Sequence, residues 1–358
     1  MADQLWSTEE GVSILSISPQ RERAALEPPR SWRVPDRHYL TVIEDPWYRA
    51  VVRLQDAITV ATTDFWSRRG ALTLHLPITT GSISSPMGLG SDSSPVLVDL
   101  AGVPTYLADS MQFMLEYGCR LSDEGCYYVM PSFRGEDADD RHLCQFFHSE
   151  AEIQGGLDDV IGAVESYVRF LIMRIIERHA DDVRAVTGDV NHLERALEQR
   201  FTRLTFDDAA EVLGGDDALV EQHSGWRTLT RNGEQQLLER IGPFVWVTEM
   251  DHLSVPFYQA FADQEMTKAA NADLLFGIGE VVGAGERHAT AEQLVRALTV
   301  HEVGVDEYRW YVEMKEQYPM RTAGFGMGVE RFLLWVLKHN DIRDIPLLLR
   351  FNGQQILP

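Results

Sequence analysis

The segment Pro131-Ser-Phe-Arg-Gly-Glu136 runs through a polar loop into Arg141-His-Leu-Cys-Gln-Phe146 and then His148-Ser-Glu-Ala-Glu152. A planar guanidinium such as that of Arg134 offers paired donors that match carboxylate or phosphate oxygens. Glu136 can accept from the amino group of a base or from an ammonium, and Phe146 can supply a stacking face. Far downstream, Gly324-Phe-Gly-Met-Gly-Val-Glu-Arg331 reads as a glycine-rich turn leading into an apolar helix, with Arg331 at the junction. Gly326 and Gly328 let backbone and ligand approach closely, and Arg331 can hold an anion there. This inventory suits a carboxylate held against the phosphates of a nucleotide. Charge neutralisation and positioning are the main demands of a displacement at phosphorus.

The elements that must position these groups are legible in outline. Tyr48, Val51, Leu54, Ile58 and Phe65 recur at helical spacing and predict a helix over 46–69. Alternation ending in Pro77 predicts a strand over 71–77, and two short strands flank Gly102 within 95–107. Strand-like runs at 126–133 and 143–153 predict a hairpin carrying Arg134 and Glu136 near its tip. A long apolar-periodic helix is expected over 157–178, continuing helically over 181–203. Shorter helices follow at 206–213 and 233–241, strands at 243–248 and 274–282, and a helix from 291. Residues 1–44, with an apolar patch at 12–17 and a Pro-rich run at 28–35, read as an arm on the body. Residues 45–358 read as one catalytic domain.

Composition narrows the classes. The chain has 358 residues, 55 acidic and 32 basic, for a formal net charge of −23. Such a balance repels phosphate backbones at long range, so tRNA is unlikely as a partner on this ground, although a local basic groove is compatible with it. No apolar run reaches the roughly 20 residues that span a bilayer, and no basic-then-apolar leader opens the chain. A cytoplasmic protein with no membrane partner is the expectation. Cys119, Cys126 and Cys144 lack zinc spacing and are expected as buried thiols, although His142 and His148 lie near Cys144.

Taken in order, these segments resemble motifs 1, 2 and 3 of the class II aminoacyl-tRNA synthetases, and the resemblance spans about 46–350. Helix, strand and proline at 46–77 resemble the dimer-forming motif 1, which implies a homodimer. Phe133-Arg-Gly-Glu136 with Arg141-His-Leu143 resembles the Phe-Arg-x-Glu and Arg-His-Leu of the asparaginyl and aspartyl subgroup, with Gln145 where that subgroup has glutamate. Asp273-Leu-Leu-Phe-Gly-Ile-Gly-Glu280, followed by Gly-Ala-Gly-Glu-Arg287, resembles its Gly-Glu and Arg strand-and-turn. Tyr106-Leu-Ala-Asp-Ser-Met-Gln-Phe-Met-Leu-Glu116 resembles the asparaginyl form, with Met114 replacing its histidine.

The resemblance implies an α+β fold of the class II type, a mostly antiparallel sheet flanked by helices. It implies ATP and Mg²⁺ as cofactors. Arg134 and Arg331 would hold the phosphates, and Glu280 the metal. Glu136, Arg141, His142, Phe146, Gly326 and Gly328 complete the ATP site. Ser110, Gln112, Glu116 and Arg287 would bind the amino acid.

Too few residues precede the motif 1 helix for the five-stranded barrel with which those ligases read anticodons. This layout is similar to archaeal asparagine synthetases, which implies an amidoligase that adenylates the side-chain carboxylate of aspartate and transfers it to ammonia. Two other catalytic outcomes fit the same residues: conversion of an asparagine-type amide to a nitrile, and tRNA-dependent ligation of asparagine or aspartate. A non-catalytic amino-acid sensor fits less well, because Arg134, Glu280 and Arg331 are intact. Several look-alikes fall away: Gly324–Gly328 lacks the βαβ room of a dinucleotide fingerprint, and His301-Glu302 lacks the second histidine of a zinc protease. Glu150 and Glu152 read either as groups that orient the site or as hairpin charges.

Overall fold

The computed structural model describes residues 25–84 and 94–358. Helices α1 (His38–Glu44) and α2 (Pro46–Ser67) come first. Pro46 occupies the first turn of α2, and the Asp45 carboxylate accepts from the Trp47 amide at 2.8 Å, so the helix starts where proline and a capping acid dictate. Four short strands follow: β1 (Leu72–Thr73), β2 (Thr79–Thr80), β3 (Val96–Leu100) and β4 (Val103–Leu107). Helix α3 (Gln112–Gly118) leads into the long hairpin β5 (Cys126–Phe133) and β6 (Gln145–Gln154).

Helix α4 (Leu157–Thr187) bends at His179, whose φ of −131° is not helical, and α5 (Asn191–Glu198) follows. Next come β7 (Thr202–Thr205), α6 (Phe206–Leu213), β8 (Val220–Gln222), β9 (Arg227–Leu229), α7 (Arg231–Ile241) and β10 (Val245–Thr248). Strands β11 (Asn271–Phe276) and β12 (Gly279–Glu286) precede α8 (Ala291–Val300) and α9 (Arg309–Gln317). The last pair is β13 (Thr322–Gly328) and α10 (Val329–Val336).

Eight strands form one sheet in the order β1-β5-β6-β13-β12-β11-β10-β7. The two outermost pairings, β1 with β5 and β7 with β10, are parallel, and the inner ones are antiparallel. Strand alternation divides the sheet into two chemically different faces. Ala151, Ala284, Ala323, Phe325 and Met327 join one buried core with Trp66 and Tyr167 from α2 and α4. Within it the Ser149 hydroxyl meets the Tyr167 hydroxyl at 2.7 Å, and Thr62 meets the same oxygen at 2.6 Å, so these three hydroxyls are paired. The opposite face carries Glu150, Glu152, Asp273 and Arg287, and it is this face that faces the cavities.

Several expected elements change. The run at 181–203 does not stay helical: α4 ends at Gly188, whose φ is 82°, and residues 202–205 become the edge strand β7 through pairing with β10. The single strand expected at 274–282 is a hairpin, reversed at Gly277 and Gly279 with φ of 61° and 128°. The segment 322–328 is a central strand rather than a turn, and the strand at 71–77 shrinks to Leu72–Thr73. The apolar patch at 12–17 lies outside the described residues. Most apolar residues of α2 pack inward, whereas Val52 and Val60 are exposed. All three cysteines are free and buried, and among the described residues no helix is long and apolar enough to cross a membrane.

Candidate active site

The polar face is built by register. Across β6, β13, β12 and β11, Glu150 lies opposite Gly326, Gly326 opposite Gly283, and Gly283 opposite Asp273. One row further, Glu152 lies opposite Gly324, Gly324 opposite Gly285, and Gly285 opposite Asn271. The glycines alternate with large core residues on β13 because only a missing side chain leaves space for the acids. A Cβ on Gly324 would stand 1.8 Å from Glu152 Oε2, and one on Gly326 would stand 2.7 Å from Glu150 Oε1.

Two cavities open on this face. The first, about 430 Å³, is lined by Arg134, Glu136, Arg141, His142, Phe146, His148, Glu280, Gly326, Gly328, Glu330 and Arg331. The second, about 360 Å³, is lined by Asp109, Ser110, Gln112, Glu150, Tyr258, Gln259, Asn271 and Asp273, among others. Arg134, His148, Glu280 and Gly326 line both, so the two spaces meet at these residues.

The first cavity gathers three arginines among five acidic residues and holds unpaired buried atoms. Arg134 reaches over the Phe146 ring at 5.6 Å, and its Nε is buried without a partner. Glu136 Oε1 accepts from the Ser94 amide at 2.6 Å, while its Oε2 is buried and unpartnered. Such orphaned atoms are costly unless a ligand completes them. Arg141 is paired with Glu234 at 2.8 Å, and His142 with Asp139 at 3.0 Å. Arg331 donates to the Glu280 carbonyl at 2.8 Å, with the Glu280 carboxylate at 3.7 Å. Burial first, and then Arg134 and Arg141, pull the Arg331 guanidinium below its ordinary value, against the opposing charge of Glu280.

Two acidic side chains adjoin it. Glu280 Oε1 and Asp273 Oδ1 converge above Gly283, at 3.2 and 3.6 Å from where its Cβ would be. Burial, followed by the charges of Glu280 and Glu234, pushes the Asp273 carboxyl well above its usual range. Among the described residues no group of three or more His, Cys, Asp or Glu side chains could hold a metal. Two carboxylates nevertheless suit Mg²⁺, which keeps waters and takes substrate phosphate oxygens as its other ligands. The sequence reading named Glu280 and missed Asp273, although Asp273 stands on the strand that hairpins back against it.

In the second cavity Ser110 donates to Glu150 at 2.9 and 2.8 Å, Tyr128 donates to the same carboxylate, and Gln112 Oε1 accepts from Tyr258 at 3.0 Å. Burial above all pushes Glu150 up to about 8, with Asp109 adding to the rise. Glu116 and Arg287 do not line this space. Glu116 is buried against Lys315 and the Tyr311 hydroxyl, with Arg120 at 3.6 Å. Arg287 is bound to Glu152 at 3.1 Å and to Gln259 Oε1 at 3.0 Å, so it stands behind Gln259. The sequence reading also passed over His148, Tyr258 and Gln259. Two-residue periodicity from Phe146 would have placed His148 on the cavity face, whereas no local signal marks Tyr258 or Gln259.

The model of tRNA synthetases class II (D, K and N) matches residues 33–350. The chain belongs to this family. Family members use ATP and Mg²⁺. The asparagine–tRNA ligase of Protochlamydia amoebophila is 27% identical over 321 residues, spanning 83% of this chain and 68% of that relative. That of Roseiflexus castenholzii is 28% identical over 341 residues, spanning 93% and 76%. The fold matches the asparaginyl-tRNA synthetase of Pyrococcus horikoshii, solved with asparaginyl-adenylate, at a TM-score of 0.82 and 23% identity, covering 97% of this chain and 77% of the other. An aspartyl-tRNA synthetase from Entamoeba histolytica matches at 0.73, with 19% identity, 96% and 66%.

These relatives overturn two expectations. Ammonia-dependent asparagine synthesis gives way, because the proteins this chain is similar to are asparagine–tRNA ligases. The expectation that tRNA is an unlikely partner falls with it. Net charge was the wrong guide: exposed charges beyond about 8 Å are screened at physiological salt, so a total of −23 says little about a local arginine cluster. Arg134, Arg141 and Arg331 form such a cluster around one cavity.

Proposed function

We propose that this chain activates asparagine with ATP and Mg²⁺ as an aminoacyl-adenylate and transfers the aminoacyl group to tRNA. The observation that carries the reading is the meeting of the two cavities at Arg134, His148, Glu280 and Gly326. A nucleotide in the space that holds the three arginines and an amino acid in the other would bring carboxylate and α-phosphate together there. Arg134 then bridges the attacking carboxylate and the phosphate, Arg331 holds the distal phosphates, and the Phe146 ring stacks on the base. The unpartnered Glu136 oxygen accepts from the base's amino group. Glu280 and Asp273 would hold Mg²⁺, whose chemistry is to neutralise phosphate charge. Arg141, fixed by Glu234, and His142 form the cavity's outer wall.

The second cavity favours a neutral side chain. Asp109 suits an α-ammonium, which would also draw Glu150 into its charged form, and both then oppose a second carboxylate, while the amides of Gln112 and Gln259 match an amide. Arg287 acts from behind, turning the Gln259 amide so that its NH₂ can face the cavity. Glu116 acts through Lys315 and Tyr311 to fix α3, the helix that starts at Gln112. Pyrophosphate exchange into ATP, run with each amino acid separately and followed by charging of tRNA, tests the reading. Asparagine-dependent exchange and stable aminoacyl-tRNA are expected. Exchange with aspartate but not asparagine, or no charging of tRNA, refutes it.

A further inference from the structure

Among the described residues, His148 is the one proton-accepting group at the junction that the activation chemistry leaves unused. It stands on β6 opposite Gly328 and Met130 and lines both cavities. Of the other three residues lining both, Gly326 has no side chain, Arg134 carries a permanent charge, and Glu280 is taken by Mg²⁺ under the proposed function. The imidazole is also oriented. Its Nδ1 lies 2.9 Å from Ser132 Oγ and 3.5 Å from Glu150 Oε1, and its edge meets the Phe146 ring at 4.7 Å with an interplanar angle of 87°. A base whose rear nitrogen is fixed by a hydroxyl presents the other nitrogen in a defined direction, the arrangement that activates hydroxyl nucleophiles elsewhere.

We propose that His148 is the proton acceptor of the transfer step, taking the proton of the attacking tRNA hydroxyl through Nε2 while Nδ1 is held by Ser132. This role rests on the aminoacyl-transfer reading above. In the step, a ribose hydroxyl oxygen of tRNA bonds to the carbonyl carbon of the adenylate. The bond from that carbon to the phosphate oxygen breaks, and AMP leaves with the electron pair. The hydroxyl proton passes to Nε2 and from there to solvent or to the departing phosphate. Burial, and then Arg134 and Arg331, pull the free imidazole down to about 3, so it begins neutral and able to accept. An anionic adenylate beside those two arginines offsets their repulsion and raises the basicity of the ring when the acceptor arrives.

The test compares the full chain with its His148→Met and His148→Gln variants. Asparagine-dependent pyrophosphate exchange is measured first, then single-turnover transfer from preformed adenylate to tRNA, then capture of the same adenylate by hydroxylamine. Hydroxylamine attacks through its own lone pair and needs no base. The ratio of transfer to exchange is expected to fall about 100-fold in both variants, with hydroxylamine capture kept. The wild-type rate of transfer should rise with pH along a limb that both variants lose. A transfer-to-exchange ratio equal to wild type overturns the role, as does hydroxylamine capture falling in step with transfer. A wild-type protein that exchanges pyrophosphate but charges no tRNA refutes the underlying reading instead, before any variant is made.

Discussion

Replacing Lys315 by methionine isolates the energetics that hold the amino-acid end of the site. The Lys315 side chain is fully buried and its ammonium contacts Glu116 and the His288 carbonyl, the latter at 2.5 Å. Removing one member of a buried pair leaves the other charged and unpaired, which costs roughly 3–5 kcal/mol. Here Tyr311 still donates to Glu116, and Arg120 remains at 3.6 Å, so the loss belongs at about 3 kcal/mol, near the low end of that range. The orphaned His288 carbonyl adds about 1 kcal/mol. Adding Glu116→Gln removes the stranded charge, and the double variant should recover about 2 kcal/mol relative to additivity. Urea denaturation of all four proteins, read as midpoints at a common slope, measures this coupling. Because α3 begins at Gln112, KM for the amino acid should rise in the single variant and fall back in the double. A Lys315→Met protein within 1 kcal/mol of wild type, or strictly additive losses, refutes the reasoning.

Other consequences follow from the same geometry. Arg134→Ala and Arg331→Ala should each slow pyrophosphate exchange by roughly 10²–10³-fold, since each removes a fixed cation from the phosphate path; steady-state exchange at saturating ATP checks this. Gly324→Ala drives a methyl to 1.8 Å from Glu152 and 2.7 Å from the Ala151 carbonyl, so thermal unfolding should show a loss of about 1–3 kcal/mol. Glu150 has its folded pKa raised to about 8, so the folded state binds the extra proton and stability is lost as pH rises from the unfolded carboxyl value through 8. Glu150→Gln should therefore be matched to wild type near pH 4 and gain on it above pH 8, on the order of 5 kcal/mol; denaturant midpoints across pH measure it, and a constant difference contradicts it. Glu280→Gln should raise the Mg²⁺ concentration needed for half-maximal exchange, and chelation should abolish exchange in both proteins.

What the sequence disclosed follows from how local each signal is. The motif 2 hairpin was legible because strand alternation, a polar loop and an Arg-x-Glu spacing all fall within one continuous stretch, and Arg134, Glu136 and Phe146 do reach one cavity. The glycine run at 324–328 was visible as glycine but misread as a turn. Its meaning is set by partners on β6 and β12, because Glu150 and Glu152 need the space that Gly326 and Gly324 leave. Residues 202–205 form a strand only because β10 supplies hydrogen bonds that local helix propensity ignores. Glu116 and Arg287 were read as a pair in contact with substrate, since opposite charges at matched motif positions invite it. In the fold each is matched by a second buried charge, Lys315 and Glu152, that no spacing rule links to it. Burial bears on the matter: a charge that is nearly fully enclosed must be paired within the protein before it can serve a ligand, so under the proposed function recognition passes forward to Gln259 and Gln112. On that proposal substrate choice is governed by amides whose orientation is imposed from behind, and altering the rear charges should change selectivity without touching the cavity wall.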